Sequence, residues 1–220
     1  MPPADTPENP PNAKLVESKQ KWAEEGRLMT GNAAPRADRL PPGQREVKNW
    51  PVLDLGIQPE IALDQWELTI DGLVENPTTW GWAQFKSQPP FTDVSDIHCV
   101  TAWSRYDNHW EGVSAKHILE TVRPLPEARH IVFHSYDGYT TNVALSVFDD
   151  ADVLLAHSWE GKPITTEHGG PVRVIIPKFY FWKSAKWVNR IEFVAEDRPG
   201  FWEERGYHNE GDPWTEQRYS

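Results

Sequence analysis

Cysteine is nearly absent from this chain: Cys99 is the only one among 220 residues. A single thiol excludes an intrachain disulfide, and it also excludes a zinc or iron–sulfur site built from four cysteines. The sulfur of Cys99 therefore acts as a single thiolate, either a nucleophile or a metal ligand, or else packs as a small buried hydrophobic side chain.

Long apolar runs and an excess of basic residues are also missing. No stretch approaches the ~20 apolar residues of a membrane helix, so no membrane span is expected. The chain has 22 Lys and Arg against 33 Asp and Glu, and its net charge of −11 argues against nucleic acid or an anionic membrane surface as a partner. Residues 1–5 show neither the basic start nor the apolar segment of a secretory signal, so we expect a cytoplasmic protein.

Three common catalytic motifs do not occur in the sequence. There is no Gly-x-Gly-x-x-Gly, no Gly-rich loop ending in Lys-Ser/Thr, and no Gly-x-Ser-x-Gly. Neither dinucleotide binding nor P-loop phosphate chemistry is therefore indicated.

Histidine is better represented, with eight residues, and His130 and His134 have the spacing of a metal-binding pair. The residues between them are β-branched or aromatic, which predicts a strand. Because four residues of a strand span about 13 Å, both rings could not bind one ion. A zinc hydrolase is therefore disfavoured.

Tryptophan and proline are abundant, with 12 Trp and 20 Pro. Because proline is unfavourable inside regular elements, this composition favours a loop-rich fold that contains β-structure. The apolar spacing predicts a short helix at 13–28, and the Pro-, Gly- and Arg-rich residues 30–49 predict an extended arm. We therefore expect an N-terminal arm with a short helix over residues 1–49 and one folded domain over residues 50–220.

Short strands with interspersed helices are predicted within that domain. Strands are predicted at 66–72, 130–135, 153–156, 171–176 and 187–194, and helices at 79–85 and 110–122. A turn is predicted at Asp137-Gly138. The order of these elements favours an α+β fold with mixed sheets over a doubly wound sheet. The tail at 199–220 is rich in aromatic residues and is expected to pack on the domain.

Basic residues are concentrated in one segment, 169–193, although the chain as a whole is acidic. The segment contains a single acid, Glu192, and the cations Arg173, Lys178, Lys183, Lys186 and Arg190. A cation cluster of this kind is compatible with a solvated loop, but it also matches a site for an anionic ligand. The interleaved Trp182 and Trp187 favour a half-buried groove.

The loop Lys183-Ser184-Ala185-Lys186 offers a hydroxyl, backbone amides and an ammonium group, which suit a phosphate. The pair Gly169-Gly170 lies just before it in the basic segment and would allow backbone to approach a ligand closely. Together these features predict an anion-binding groove.

Four motifs, taken in order, resemble the sulfite oxidase superfamily, and more narrowly its small bacterial molybdopterin-dependent oxidoreductases. They are His-Cys-Val-Thr-Ala-Trp-Ser at 98–104, Asp-Gly-Tyr-Thr-Thr-Asn at 137–142, His-Gly-Gly-Pro-Val-Arg at 168–173 and Lys-Ser-Ala-Lys-Trp at 183–187. The resemblance runs from about Trp50 to the C-terminus. It implies the sulfite oxidase catalytic fold and a molybdenum ion held by one molybdopterin.

The resemblance also implies roles for individual residues. Cys99 matches the family's metal ligand, and a soft thiolate suits a metal already bound to two dithiolene sulfurs. Tyr139 matches a tyrosine beside the metal, although it is equally compatible with an ordinary aromatic at a turn. The positions that match cofactor-binding residues are Leu53, Asp54, Ser135, His168, Arg173, Ser184, Ala185 and Lys186.

One departure from the family concerns the substrate. Animal and plant sulfite oxidases follow the ligand cysteine closely with arginine, whereas Val100-Thr101-Ala102-Trp103 stand here and Arg105 is the nearest cation. Sulfite as the substrate is therefore in doubt. Tyr139 and Arg105 are the candidates for orienting a small-molecule substrate.

The resulting hypothesis is an enzyme that transfers an oxygen atom at molybdenum, either oxidising a sulfite-like substrate or reducing an S-oxide or N-oxide. An external electron-transfer partner is expected, because the resemblance covers no electron-carrying module. The alternative is a non-catalytic module that binds an anion or a protein segment and in which Cys99 is an inert buried thiol.

Overall fold

The structure is a computed structural model, and it describes residues 13–24 and 39–220. The helices of this part are α1 (Ala13–Glu24), α2 (Trp82–Lys86), α3 (Ala115–Val122) and α4 (Leu145–Phe148). The strands are β1 (Arg45–Glu46), β2 (Glu67–Gly72), β3 (Thr78–Gly81), β4 (Phe91–Cys99), β5 (Trp103–Ser114), β6 (His130–Ser135), β7 (Thr140–Ala144), β8 (Leu154–Trp159), β9 (Lys162–Pro163), β10 (Arg173–Ile175) and β11 (Val188–Val194).

The strands form two sheets that both mix parallel and antiparallel pairs. The first sheet has the order β1-β5-β8-β10, with β4 paired to β5 and β9 paired to β8. The second has the order β3-β2-β11-β6-β7. The pairs β1–β5 and β2–β11 are parallel and the remaining pairs are antiparallel. This arrangement confirms the predicted α+β fold with mixed sheets and short helices.

The predicted strands at 66–72, 130–135 and 187–194 correspond to β2, β6 and β11, and those at 153–156 and 171–176 overlap β8 and β10. The aromatic tail also packs on the domain as predicted, since Trp202 and Tyr207 are buried.

The two predicted helices at 79–85 and 110–122 were wrong in their first halves. Residues 78–81 form β3, because the β-branched Thr78 and Thr79 pair with β2 before α2 begins at Trp82. Residues 110–114 complete β5, paired with β8. Helix α3 begins only after Ser114, whose hydroxyl accepts a hydrogen bond from the amide of His117 as an N-cap.

The N-terminal part is described for α1 and from residue 39 onward. Helix α1 ends at Glu24, so the last part of the helix predicted at 13–28 lies outside the described residues. Strand β1 lies within the predicted arm and pairs in parallel with β5. No helix among the described residues is both long and apolar enough to cross a membrane.

Buried apolar side chains form two cores. The first, the helix-side core, lies where β2, β6 and β11 meet α2, α3 and α4; it includes Leu68, Phe85, Ile118, Phe133, Phe148 and Leu155. The second, the cavity-side core, is rich in tryptophan; it includes Trp50, Cys99, Trp103, Trp110, Trp182 and Trp202. The only cysteine of the chain therefore lies in the tryptophan-rich core.

Candidate functional site

The cavity-side core surrounds a cleft of about 850 Å³, a volume that includes the part open to solvent. Most of the site residues predicted from the sequence line it: Leu53, Asp54, Cys99, Tyr139, Arg173, Ser184 and Lys186. Segments far apart in the chain are thus brought to one cavity.

Cys99 lies at the end of β4, where the chain turns tightly into β5. The amide of Ala102 donates to the carbonyl of Cys99 at 3.0 Å, and Ala102 adopts a left-handed conformation with φ 68°. The side chain of Gln44 donates to the same carbonyl at 3.0 Å. The thiol is 3.2 Å from the hydroxyl of Thr101, and the residue is 6% exposed. The sulfur is therefore held in a fixed turn on the cavity wall.

Arg173 is a buried cation on the same wall. Its guanidinium donates to the carbonyls of His168 at 2.6 Å and Ser184 at 2.8 Å, and it stacks 4.1 Å from the ring centroid of Phe181. Among the described residues no carboxylate forms an ion pair with it, and its Nε has no hydrogen-bond partner. Burial lowers the pKa of Arg173 to about 9. Because a buried charge without a counter-charge is costly, this position favours an anionic ligand.

The loop that contains Lys186 is fixed by backbone contacts. The amide of Val174 donates to the carbonyl of Ala185 at 2.8 Å, and the Ser184 hydroxyl accepts from the amide of Ile176 at 3.0 Å. The ammonium of Lys186 donates to the carbonyl of Glu167 at 2.5 Å. Ala185, within this loop, is buried and does not line the cavity, whereas its neighbours Ser184 and Lys186 do.

The two glycines at 169 and 170 serve a different purpose from the one predicted. A Cβ on Gly169 would lie 2.8 Å from the Cβ of Lys186, and a Cβ on Gly170 would lie 2.0 Å from the carbonyl oxygen of Ile164. The close approach that requires glycine is therefore to other parts of the protein. Gly169 allows the close approach of Lys186 and Gly170 that of Ile164, and neither glycine lines the cavity.

Tyr139 follows the Asp137-Gly138 turn between β6 and β7. Its phenol donates to the carbonyl of Trp182 at 2.7 Å. Burial, together with the negative charge of Glu203, raises the pKa of Tyr139 well above its usual value. The phenol therefore keeps its proton, which is directed at Trp182.

Three further predicted residues lie behind or beside the wall. Arg105 stacks 4.6 Å from the ring centroid of Trp159 and bonds to Asn108 and Glu160, and it does not line the cavity. His168 stacks on Trp50 with ring centroids 3.9 Å apart, and burial lowers the pKa of its imidazole to about 4.

Ser135, at the end of β6, is buried, and its hydroxyl has no hydrogen-bond partner among the described residues. It does not line the cavity either.

Sequence reasoning missed several residues of the wall. Asp137 is 5% exposed, and burial raises the pKa of its carboxyl to about 6. In the motif at 137–142 only Tyr139 was assigned a role, although Asp137 in the same motif could have indicated an acid in the site. Trp202 and Tyr207 come from the tail, and the aromatic composition of the tail predicted that it would pack but not where.

The described residues contain no group of three or more His, Cys, Asp and Glu side chains placed to hold a metal ion. His130 and His134 both lie on β6, as the strand argument required. A metal in this cavity would therefore depend on Cys99 and on ligands supplied by a cofactor. The lone thiol and the uncompensated Arg173 fit a metal bound to an anionic pterin.

Comparison with known proteins gives the family. The model of the oxidoreductase molybdopterin binding domain matches residues 55–202. YuiH of Bacillus subtilis (strain 168), described as an uncharacterized oxidoreductase, is 43% identical over 186 residues, covering 84% of this chain and 94% of YuiH.

Two other relatives are longer than this chain. Sulfite oxidase of Arabidopsis thaliana is 28% identical over 66% of this chain and 46% of its own length. The catalytic subunit MsrP of the protein-methionine-sulfoxide reductase of Ralstonia nicotianae is 28% identical over 62% of this chain and 46% of its own. The chain thus spans less than half the length of either relative.

The fold is shared with a solved structure. The crystal structure of the sulfane dehydrogenase SoxCD from Paracoccus pantotrophus superimposes with a TM-score of 0.59 and 21% identity, over 63% of this chain and 40% of that one. Fold, cavity and family model agree on the same region of the sequence. The chain belongs to the oxidoreductase molybdopterin binding domain family and is an oxidoreductase that uses a molybdenum–molybdopterin cofactor.

Proposed function

We propose that the cavity catalyses oxygen-atom transfer, with the thiolate of Cys99 as the protein ligand of molybdenum. Arg173, Ser184 and Lys186 would hold the anionic pterin. The observation that carries this proposal is the buried guanidinium of Arg173, which lacks a carboxylate partner among the described residues and lines the same cavity as the only thiol. One wall thus supplies a soft metal ligand and a charge that calls for an anion.

The bound cofactor supplies the two-electron redox chemistry and the exchangeable oxygen. The protein positions it. The Cys99–Trp103 turn fixes the sulfur, and the contacts of Arg173 with His168 and Ser184 hold a cation at a set place in the wall. The tryptophans of the cavity-side core exclude water and lower the local dielectric, which strengthens every charge interaction there.

The character of the wall favours an uncharged S-oxide or N-oxide as substrate over the sulfite dianion. The cations that line the described part of the cavity are Arg173 and Lys186, and we assign both to the pterin. The residues that follow the thiol on the wall are Val100, Thr101 and Trp103. Arg105, the nearest cation in sequence, binds Asn108 and Glu160 instead, so we leave it out of the proposed site.

Tyr139 is the residue of the predicted set best placed to orient a substrate oxygen, because it lines the cavity. Its proton is directed at the carbonyl of Trp182 in this structure. A hydrogen bond from the phenol to a substrate would therefore require that the Trp182 bond be exchanged for the new one.

We also propose an external electron-transfer partner, since each turnover moves two electrons that must enter or leave the domain. The cytoplasmic location expected from the sequence stays a prediction, and cell fractionation with an antibody to the protein would test it.

The proposed function is tested first by metal analysis after expression in a host that makes molybdopterin. We expect close to one molybdenum per chain. Absence of molybdenum from well-folded protein would favour the alternative of a non-catalytic binding module.

Parallel turnover assays then give the direction of the reaction. One assay supplies sulfite with an artificial electron acceptor, and the other supplies organic sulfoxides and N-oxides with a reduced dye. We expect turnover in the second assay, and turnover of sulfite alone would contradict the substrate class.

A further inference from the structure

Asp137 is a buried acid on the cavity wall that the proposed mechanism has not yet used. We propose that its carboxyl carries one of the two protons that oxygen-atom transfer exchanges with solvent. This inference rests on the proposed function and adds a residue to it. Asp137 would be a proton-carrying group for the substrate oxygen.

The balance of the reaction requires such a group. In the reducing direction the S–O or N–O bond of the substrate breaks, two electrons arrive from an external donor through the cofactor, and two protons are taken up. A sulfide or amine and one water molecule leave. In the oxidising direction water supplies the oxygen, and two protons and two electrons are released. In either direction Asp137 would pass one proton between the departing or arriving water and the solvent.

The position of Asp137 is set by the turn between β6 and β7. The amide of Gly138 donates to the carbonyl of Ser135 at 3.0 Å, and Gly138 has φ +81°. The carboxyl of Asp137 accepts a hydrogen bond from the amide of Tyr139 at 3.0 Å. The amide of Tyr136 donates to the carbonyl of Trp187 at 2.9 Å and fixes the turn to the Lys186 loop. The acid is therefore part of a rigid wall.

The charges that face Asp137 come from two other segments. The ammonium of Lys186 favours the ionised carboxylate, and the carboxylate of Asp54 opposes it. Desolvation exceeds both effects and raises the pKa of Asp137 to about 6. The carboxyl thus changes protonation state near neutral pH, which suits a group that both gives and takes protons.

The other ionisable groups of the wall suit this task less well. Arg173 stays cationic at neutral pH, and the phenol of Tyr139 keeps its proton. Both oxygens of Asp54 accept hydrogen bonds, from the amide of Gly56 at 2.9 Å and the side chain of Gln58 at 2.7 Å. Cys99 is committed to the metal. Asp137 remains as the acid of the described wall that combines burial with access to the cavity.

The test compares Asp137→Asn with Asp152→Asn in the molybdenum-loaded enzyme. Asp152 is a matched control, because burial also raises the pKa of its carboxyl but the residue does not line the cavity. We expect Asp137→Asn to lower kcat by about 100-fold with little change in KM or molybdenum content, and Asp152→Asn to behave like the parent. Asp137→Glu, which keeps a carboxyl, should recover part of the rate.

The pH profile gives a second readout. For the parent, the reducing rate should fall as pH rises through the pKa of Asp137, since the protonated acid is the donor; the oxidising rate should fall as pH drops through the same pKa. This limb should be absent from Asp137→Asn and present in Asp152→Asn.

A third readout does not depend on turnover. In protein labelled with ¹³C-aspartate, the carboxyl resonance lost in Asp137→Asn should titrate near pH 6 in the parent.

Retention of the parental rate and pH limb by Asp137→Asn, or a carboxyl that titrates near pH 4, would overturn the role of Asp137 alone. Absence of any oxygen-atom transfer by a molybdenum-loaded parent would overturn the proposed function together with this inference.

Discussion

The two cores of this protein differ in what they contain besides apolar atoms. The helix-side core is made of aliphatic and aromatic side chains such as Leu68, Phe133 and Leu155, each with no exposed surface. The cavity-side core is built around tryptophans, and the charged groups Arg173, Lys183 and Glu203 are buried beside it. The first core stabilises the fold by removing apolar area from water, whereas the second accepts the cost of buried charge in order to bind a ligand.

The largest effect is expected at the thiol. Cys99→Ser should keep the fold and much of the pterin but abolish turnover, since the change removes the protein ligand itself. The decrease in kcat should exceed the roughly 10- to 100-fold decrease that is typical when a residue supporting a metal ligand is replaced. Molybdenum content, the unfolding curve and kcat are measured on the same preparation. Parental turnover by this variant would show that the ligand assignment is wrong.

Breaking the buried ion pair beneath the cavity should have the next largest effect. The ammonium of Lys183 and the carboxylate of Glu203 are 2.6 Å apart, and both side chains are almost fully buried. Lys183→Met leaves an unpaired buried carboxylate and should lower the free energy of unfolding by about 3–5 kcal/mol. Denaturant unfolding measures this loss.

The control for that experiment is the double variant Lys183→Met with Glu203→Gln, which removes both charges. It should recover a large part of the lost stability. Equal losses in the single and double variants would mean that the charges do not interact in the way the structure indicates.

A substitution in the helix-side core should lower stability without touching the site. Leu155→Ala removes a fully buried side chain and should cost about 2–5 kcal/mol of unfolding free energy. Molybdenum per folded molecule and kcat should stay at parental values. A selective loss of molybdenum from folded Leu155→Ala protein would contradict the division of labour between the cores.

The converse variant acts on the cavity with little effect on the fold. Lys186 is half-buried and lines the cavity, and its ammonium donates to the carbonyl of Glu167. Lys186→Ala should weaken the affinity for the cofactor by about tenfold, which corresponds to one charge-assisted contact of about 1.4 kcal/mol, and so lower molybdenum and pterin occupancy, with little shift of the unfolding midpoint of the cofactor-free protein. Full occupancy in this variant would remove Lys186 from the anchoring role.

The smallest effect is expected at Arg105. Its guanidinium stacks on Trp159 and bonds to Asn108, outside the cavity wall. Arg105→Ala should therefore change kcat and KM only slightly, and it should leave molybdenum occupancy at the parental value. A large rise in KM for an anionic substrate would restore Arg105 as a substrate-orienting residue and would weaken the case for an uncharged substrate.

The sequence was sufficient to predict many residues that line the cavity, because unusual residues were concentrated there. A single cysteine and a basic segment in an acidic chain stand out without any knowledge of the fold, and both reach the same cavity. Arg105 could not be judged in the same way. Arg105 follows Trp103 by two residues on β5 and therefore lies about 7 Å further along the strand. The orientation of its guanidinium depends on Trp159, which belongs to a different strand.

The fold was predictable where alternation was regular and was not where neighbouring strands decided the outcome. Strands β2, β6 and β11 carry clear apolar patterns. Residues 79–85 and 110–122 contain apolar spacings compatible with a helix, and the first part of each becomes a strand because an adjacent strand supplies its hydrogen bonds. The β8 partner of residues 110–114 lies far away in sequence and leaves no local signal, whereas β2 precedes β3 by only a short connection.

A backbone hydrogen bond joins the Asp137 turn to the Lys186 loop at the end of the β6–β11 pairing. Because the amide of Tyr136 donates to the carbonyl of Trp187, the turn that presents Asp137 and the loop that presents Lys186 cannot shift independently. A ligand that binds Lys186 would also act on Asp137, because the ammonium of Lys186 favours the ionised form of that acid. Binding and release of a ligand in the cleft should therefore change the proton affinity of Asp137 and the contacts of Lys186 together.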